Sequence, residues 1–445
     1  MEKEQKTFHK SRRQQLMKKI GKDSVAVVFS NSMRNKSFDT SYKFKQNNNF
    51  YYLTGFDEPN SILVLAPGGI SVKDSSTGKK SIVKELLFVQ KRDPDLEKWE
   101  GKRLGSENVK KELGIEIGMD NSSFNNIVNS GLAFNFNNVY MNIIDLYDNA
   151  GDMKAITDSF VNSLRVMSSW AQISDINIIL GAMRKVKTPF EIDLIRRAAD
   201  ITSYSLNQVL KHLRPGIYEY NVQAILESNY IDQGSSDNAF DTIVASGENA
   251  CTLHYISNRE KIKDGTLVLI DTGAEFENYC ADITRTFPAN GKFTKEQRLI
   301  YDIVLLGNKT GIKMCKSGTK YSKIDKEVKK VMADELVKHK IIKDTDHIKR
   351  VCYHGIGHDL GLDTHDAVPF KKVGRLDFDV LKPGNVTTVE PGLYFPPGTE
   401  GIDKKYTGIG IRIEDDVLVT SKGNRVLTNG ITKEADEIEK IMSAN

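Results

Sequence analysis

The chain has 445 residues, 39% hydrophobic and 27% charged, with a formal net charge of +4. That length exceeds what one hydrophobic core supports and predicts two or three domains. No run approaches the roughly 18 apolar residues that cross a bilayer, and lysines interspersed with glutamates, as in KKVMADELVKHK, read as solvated helix surface rather than a nucleic-acid footprint. The opening segment MEKEQKTFHKSRRQQL lacks the apolar stretch of a secretory signal, and Cys251, Cys280, Cys315 and Cys352 show no CxxC spacing. Both features favour a reduced, cytoplasmic setting.

In chain order, residues 24–170 read as an α/β unit, with apolar runs at Ser24–Ser30, Ile62–Ala66, Ile82–Gln90 and Val139–Leu146 between glycine, proline and asparagine punctuation. Ser168–Asp175 carries the chain into a second unit, which places the domains at 1–174 and 175–445. There Thr188-Pro189-Phe190-Glu191 forms a capping box, so a long helix follows and ends near Arg214-Pro215-Gly216. A second helix spans about Glu219–Gly234, after which Thr266–Phe276 and Tyr279–Phe287 form a predicted hairpin. Thr294-Lys295-Glu296-Gln297 restarts the pattern, with helices ending near Gly318 and Lys340 and extended segments at Asn385–Phe395 and Gly410–Thr420. Two helix pairs, each followed by paired strands, predict a pseudo-twofold domain with its sheet in the middle.

Asp271, Asp282, His358, Glu390 and Glu414 each lie in or beside a short apolar or glycine-rich segment. Four carboxylates in one apolar pocket repel each other, and two divalent cations cancel their charge. The set therefore predicts a dinuclear metal centre and hydrolysis. A hairpin turning near Phe276–Glu277 sets Asp271 opposite Asp282, with Cβ atoms about 4.5–5.5 Å apart. Pro391 stops the ladder after Glu390, while Arg412 and Glu414, two apart on a strand, share a face where the arginine can grip a carboxylate in bidentate fashion. HGIGHDLGLDTHD spaces His354 and His358 like a zinc-protease helix without the glutamate of HExxH, and Gly355 and Gly357 shift the reading to a turn of bare backbone. One histidine among oxygen ligands favours manganese, iron(II) or cobalt. It leaves His254, His354 and His365 free for hydrogen bonding and proton transfer.

DGTLVLIDTGAEFENYCADITRTFPANGKFT, HGIGHDLGLDTHD, VTTVEPGLYF and GIGIRIEDD resemble motifs of the Xaa-Pro aminopeptidase (aminopeptidase P) family of pita-bread metallopeptidases. FKQNNNFYYLTGFDEPNSILVL and KWEGKRLG extend the resemblance into the first domain, over about residues 40–420. It implies an α/β N-terminal domain and an α+β pita-bread catalytic domain, pseudo-twofold, with a central curved antiparallel sheet flanked by helices. It also implies two manganese ions: Asp271 and Asp282 chelate one, Asp282, His358, Glu390 and Glu414 complete the site, and Asp282 and Glu414 bridge. His254, His354 and His365 match histidines around the substrate, Arg412 the site arginine, and Tyr394 a position near the metals. Trp99 matches an aromatic that reaches a neighbouring subunit's active site; plain packing is the equal alternative.

The reaction so implied is hydrolysis of the bond between an N-terminal residue and a following proline, by a homodimer or homotetramer. A prolidase confined to Xaa-Pro dipeptides is the near alternative, and a non-catalytic pita-bread binding module the distant one. Methionine aminopeptidase shares the metal chemistry but not the large first domain. Phe240 and Asp241 stand where close bacterial relatives often have tyrosine and asparagine, which bears on fine specificity.

Overall fold

The computed structural model describes residues 2–73, 80–127, 136–142, 152–366 and 379–444. Contacts divide the chain into two units, Met1–Gly181 and Ala182–Asn445.

The first unit is organised by its apolar runs. β1 (Ser24–Phe29) is buried at every position, as a strand covered on both faces must be. It lies inside a six-stranded mixed sheet with β2 (Ile62–Lys73), β3 (Lys80–Val89), β4 (Ile117–Asp120), β5 (Asn138–Met141) and β6 (Gln172–Asp175), in the order β4-β3-β2-β1-β5-β6. Val27, Phe29, Val64, Phe88, Phe124 and Phe160 form its core. The structure corrects two expectations. Gln172–Asp175 does not lead away from this unit but pairs in parallel with β5 as its edge strand. β2 also runs past Ala66 to Lys73, and after a register shift Ile70 meets Val83. The end of the predicted Val139–Leu146 run lies outside the described residues.

In the second unit both capping boxes form. Thr188 caps α1 (Pro189–His212), with Glu191 Oε2 accepting from the Thr188 amide at 2.8 Å. Thr294 caps α3 (Lys295–Met314), and Gln297 Oε1 returns to its amide at 2.9 Å. α2 (Glu219–Asp232) and α4 (Tyr321–Lys338) complete the two helix pairs. The strands between them are β7 (Ile243–Ser246), β8 (Leu267–Thr272), β9 (Ala274–Phe276), β10 (Tyr279–Cys280) and β11 (Ile283–Pro288). After the second pair come β12 (Val386–Val389), β13 (Gly392–Tyr394), β14 (Gly410–Arg412), β15 (Asp415–Thr420) and β16 (Gly423–Val426). They assemble as β7-β8-β11, β12-β15-β16 and β13-β14, while β10 and β9 form a small sheet with Asp237–Asn238. One continuous core, from Leu206 and Val222 through Val268, Ile283, Val389 and Ile411 to Val304 and Val328, joins both helix pairs to the strands.

The hairpin register differs from expectation. Glu277 and Asn278 both take positive φ, +49° and +65°, as a two-residue turn with the right-handed twist of its strands requires. The turn is thus centred one residue later than predicted, which slides the pairing by two. Asp271 faces Thr284, and Asp282 is its diagonal neighbour on the same face rather than its direct partner.

Candidate active site

The candidate acids lie at strand ends or in breaks between strands. Asp271 is the penultimate residue of β8, and Asp282 follows β10 just before β11 begins. Glu390 falls in the break between β12 and β13, where Pro391 cannot donate, and its amide bonds Ile356 O at 2.8 Å. Glu414 falls in the matching break between β14 and β15, its amide bonding Thr284 O at 3.0 Å. Arg412 and Glu414 are therefore not on one uninterrupted strand, although both reach the same cavity. The histidine-bearing segment is non-helical, as its glycines suggested. A Cβ at Gly357 would lie 2.3 Å from Thr388 O, so only glycine lets this loop press on β12. His358 is then fixed by its amide on Thr388 Oγ1 at 3.1 Å and its carbonyl accepting from Thr388 N at 2.9 Å.

These residues converge on a cavity of about 800 Å³. Ligand atoms of Asp282, His358 and Glu414 all lie within 4.8 Å of one another. His358 Nε2 is 3.5 Å from Asp282 Oδ2 and 3.7 Å from Glu390 Oε1. Asp271 Oδ1, Asp282 Oδ1 and Glu414 Oε1 are buried without a hydrogen-bond partner, a costly arrangement unless something else satisfies them. Burial, then repulsion from Glu414, holds the Asp282 carboxyl well above the usual range. The same two causes raise Glu390, and burial with Asp271 nearby pushes Glu414 up to about 7. Burial, reinforced by His365, lowers His358 to about 4, leaving the neutral imidazole that metals bind. Orphaned carboxylate oxygens around one neutral imidazole fit divalent cations of the manganese type.

Arg412 does not grip one carboxylate with both arms. Its guanidinium donates to Asp271 Oδ2 at 2.5 Å, Tyr394 OH at 2.9 Å and Thr284 Oγ1 at 3.1 Å. Thr284, placed opposite Asp271 by the register, in turn donates a hydrogen bond from its hydroxyl to Glu414 Oε2 at 2.8 Å. Tyr394, which the resemblance sets near the metals and among the substrate-binding residues, is fully buried and absent from the cavity wall. Its hydroxyl lies between Arg412 and His354 Nε2, the latter at 2.9 Å, so it orients those two side chains instead. His254, His354, His365, Phe240 and Asp241 do line the cavity. Trp99 is 88% exposed on the first unit, so it is not packed into that unit's core.

Two anchors escaped the sequence reading. Asp359 and Asp366 each follow a cavity histidine, and both are tied to one basic segment. Lys185 Nζ reaches Asp359 at 2.7 Å, while Arg184 and Lys187 hold Asp366 at 2.5 and 2.9 Å. The repeated His-Asp dipeptide was the available signal. Glu219, fully buried at the start of α2, accepts from Ser246 N at 2.8 Å, Ser246 Oγ at 2.8 Å, Asn249 Nδ2 at 3.1 Å, Tyr255 OH at 2.9 Å and Glu260 N at 2.9 Å. It thereby fixes the loop that presents His254, and nothing local in the sequence marks it.

Residues 193–421 match metallopeptidase family M24, and residues 9–140 match the aminopeptidase P N-terminal domain. The chain is 37% identical over 449 residues to an Xaa-Pro aminopeptidase of Escherichia coli, covering 97% of each. It is 34% identical to that of Haemophilus influenzae, covering 97% of this chain and 96% of the relative. Aminopeptidase P from E. coli with the inhibitor Pro-Leu superposes with a TM-score of 0.87 at 36% identity, over 99% of this chain and 98% of that one. Pseudomonas aeruginosa aminopeptidase PepP gives 0.89 at 33%, with the same coverage. Matched along nearly its whole length in sequence and backbone, the chain belongs to metallopeptidase family M24, as a metal-dependent hydrolase of the Xaa-Pro aminopeptidase kind, with an aminopeptidase P N-terminal domain and a pita-bread catalytic domain.

Proposed function

We propose that the cavity releases the N-terminal residue from peptides with proline second, using two manganese ions held by Asp271, Asp282, His358, Glu390 and Glu414. The observation that carries this reading is the buried ring of acids around the His358 imidazole, with three carboxylate oxygens left unpaired. When bound, the cations supply Lewis acidity to water and to the scissile carbonyl.

The chain's own groups do the rest. Glu390, its carboxyl pKa raised by burial and Glu414, takes the proton of the attacking water and relays it toward the departing proline nitrogen. Both ring nitrogens of His354 are engaged, Nδ1 with Gly355 O at 2.6 Å and Nε2 with Tyr394 OH at 2.9 Å. That arrangement favours His365, exposed at the cavity with its ring 4.0 Å from that of His358, as the donor to the tetrahedral oxyanion. Proline's tertiary amide has no N–H and a fixed ring. His254, His365 and the neighbouring Leu253 and Ile256 make a wall suited to it. Arg412 sets its guanidinium charge against Asp271 Oδ2, beside the other acids.

Residues 175–445 are read as the catalytic domain and 1–174 as the preceding one; the contact-based division falls a few residues later. A cytoplasmic homodimer or homotetramer, acting on peptides rather than nucleic acid or membranes, completes the proposal. No helix among the described residues is long and apolar enough to cross a membrane. The test is hydrolysis of Xaa-Pro-Yaa peptides by metal-stripped protein, restored with manganese, zinc or cobalt one at a time. An Xaa-Pro dipeptide arm separates the prolidase reading. No turnover with any metal would leave only the non-catalytic reading standing.

A further inference from the structure

The two acids Glu390 and Glu414 stand in matching strand breaks, and one side chain spans both. Asn308, fully buried on α3, donates from Nδ2 to Val389 O at 3.0 Å and to Ile413 O at 3.2 Å. Those carbonyls belong to the residues immediately before Glu390 and Glu414. Lys433 Nζ lies 2.8 Å from Asn308 Oδ1. An ammonium only donates, so this contact fixes which end of the amide is oxygen and aims both N–H groups at the carbonyls.

The helix is built to bring Asn308 this close. A Cβ on Gly307 would sit 2.9 Å from Met332 Sδ and 3.4 Å from Pro391 Cβ, and one on Gly311 would sit 2.6 Å from Val389 Cγ1. Glycine inside a helix costs about 0.5–1 kcal/mol relative to alanine. Two of them flanking Asn308 on the face toward β12 and Pro391 trade helix stability for approach.

We infer that Asn308 is a positioning residue: its amide ties the two strand breaks together and so sets the spacing of the Glu390 and Glu414 carboxylates for the cations. The inference rests on the metal reading above and adds a residue to it.

The test is manganese titration of the full chain, followed by the electron paramagnetic signal of free Mn²⁺, for the parent, Asn308→Leu and Lys433→Met. Leucine keeps the same branched four-atom skeleton and removes both donors; methionine leaves the amide but frees it to turn over. Asn308→Leu is expected to weaken manganese binding about 10–100-fold, and Lys433→Met by a smaller factor in the same direction. Manganese should also raise the thermal midpoint of Asn308→Leu less than that of the parent. Manganese affinity within twofold of the parent in Asn308→Leu, with only its thermal midpoint lowered, would make Asn308 a packing residue and overturn the inference. If Asn308→Leu does not fold, unchanged affinity in Lys433→Met overturns it equally. A parent that binds no manganese would refute the metal reading instead, a separate outcome.

Discussion

Chelation combined with a rise in pH should weaken the protein in a way that bound metal abolishes. Glu414, with its carboxyl moved from 4.5 to about 7, keeps a proton in the metal-free native state that the unfolded chain releases. Such a group stabilises the fold fully below pH 4.5, and that contribution disappears as pH rises through about 7. The displacement corresponds to roughly 3 kcal/mol. His354 and His358, lowered from 6.5 to about 4, act in the opposite sense. Their contribution is present above pH 6.5 and lost as pH falls toward 4. The two trends compete below pH 6.5, so the carboxylates stand alone above it. Asp282, Glu390 and Asp416, all held well above the usual carboxylate range by burial and neighbouring acids, act in the same direction as Glu414. Each proton still held costs about 1.4 kcal/mol per pH unit. Urea unfolding in chelator should therefore show stability falling by ~1 kcal/mol or more between about pH 6.5 and 8. The manganese-loaded protein, whose acids are ionised at both ends, should show a much smaller slope. A chelated protein that is equally stable, or more stable, at the higher pH would refute the picture of acids sharing protons in place of cations.

Asp282→Ala and Glu414→Ala should each abolish turnover and metal loading together, read by peptide hydrolysis and metal analysis; full activity in either would remove that residue from the ligand set. His365→Ala should slow hydrolysis by about 10²-fold or more while metal content stays near that of the parent. Asp366→Asn leaves buried Arg184 and Lys187 short of a counter-charge, so denaturant unfolding should show a loss of about 3 kcal/mol or more. Glu219→Gln turns an amide N–H toward groups that can only donate, such as the amides of Ser246 and Glu260. Hydrogen exchange across 246–260 should quicken and KM should rise, whereas metal content should not change.

Much of this site was legible in one dimension because its signals are local. The capping boxes at Thr188 and Thr294, the apolar run into Asp271, the proline after Glu390 and the glycines around His358 each act on their own few residues. Those physical rules hold wherever the segment ends up. They were enough to place five candidate metal ligands in apolar surroundings and to expect them to converge.

What remained hidden depends on partners far away in sequence. A single residue's difference in where the Glu277–Asn278 turn centres moved Asp282 from opposite Asp271 to its diagonal. Tyr394 lay on a strand that could face either way, and only its contacts with Arg412 and His354 show it turned inward. Asn308, Glu219 and the Arg184–Lys187 segment are ordinary polar residues until folding delivers buried carbonyls, amides or aspartates to them. Local chemistry in the chain thus determined which acids and histidines are available and which backbone they ride on. The tertiary structure alone decided their spacing and support, because a buried polar group's role is set by the unsatisfied atoms that distant segments bring within about 3 Å of it.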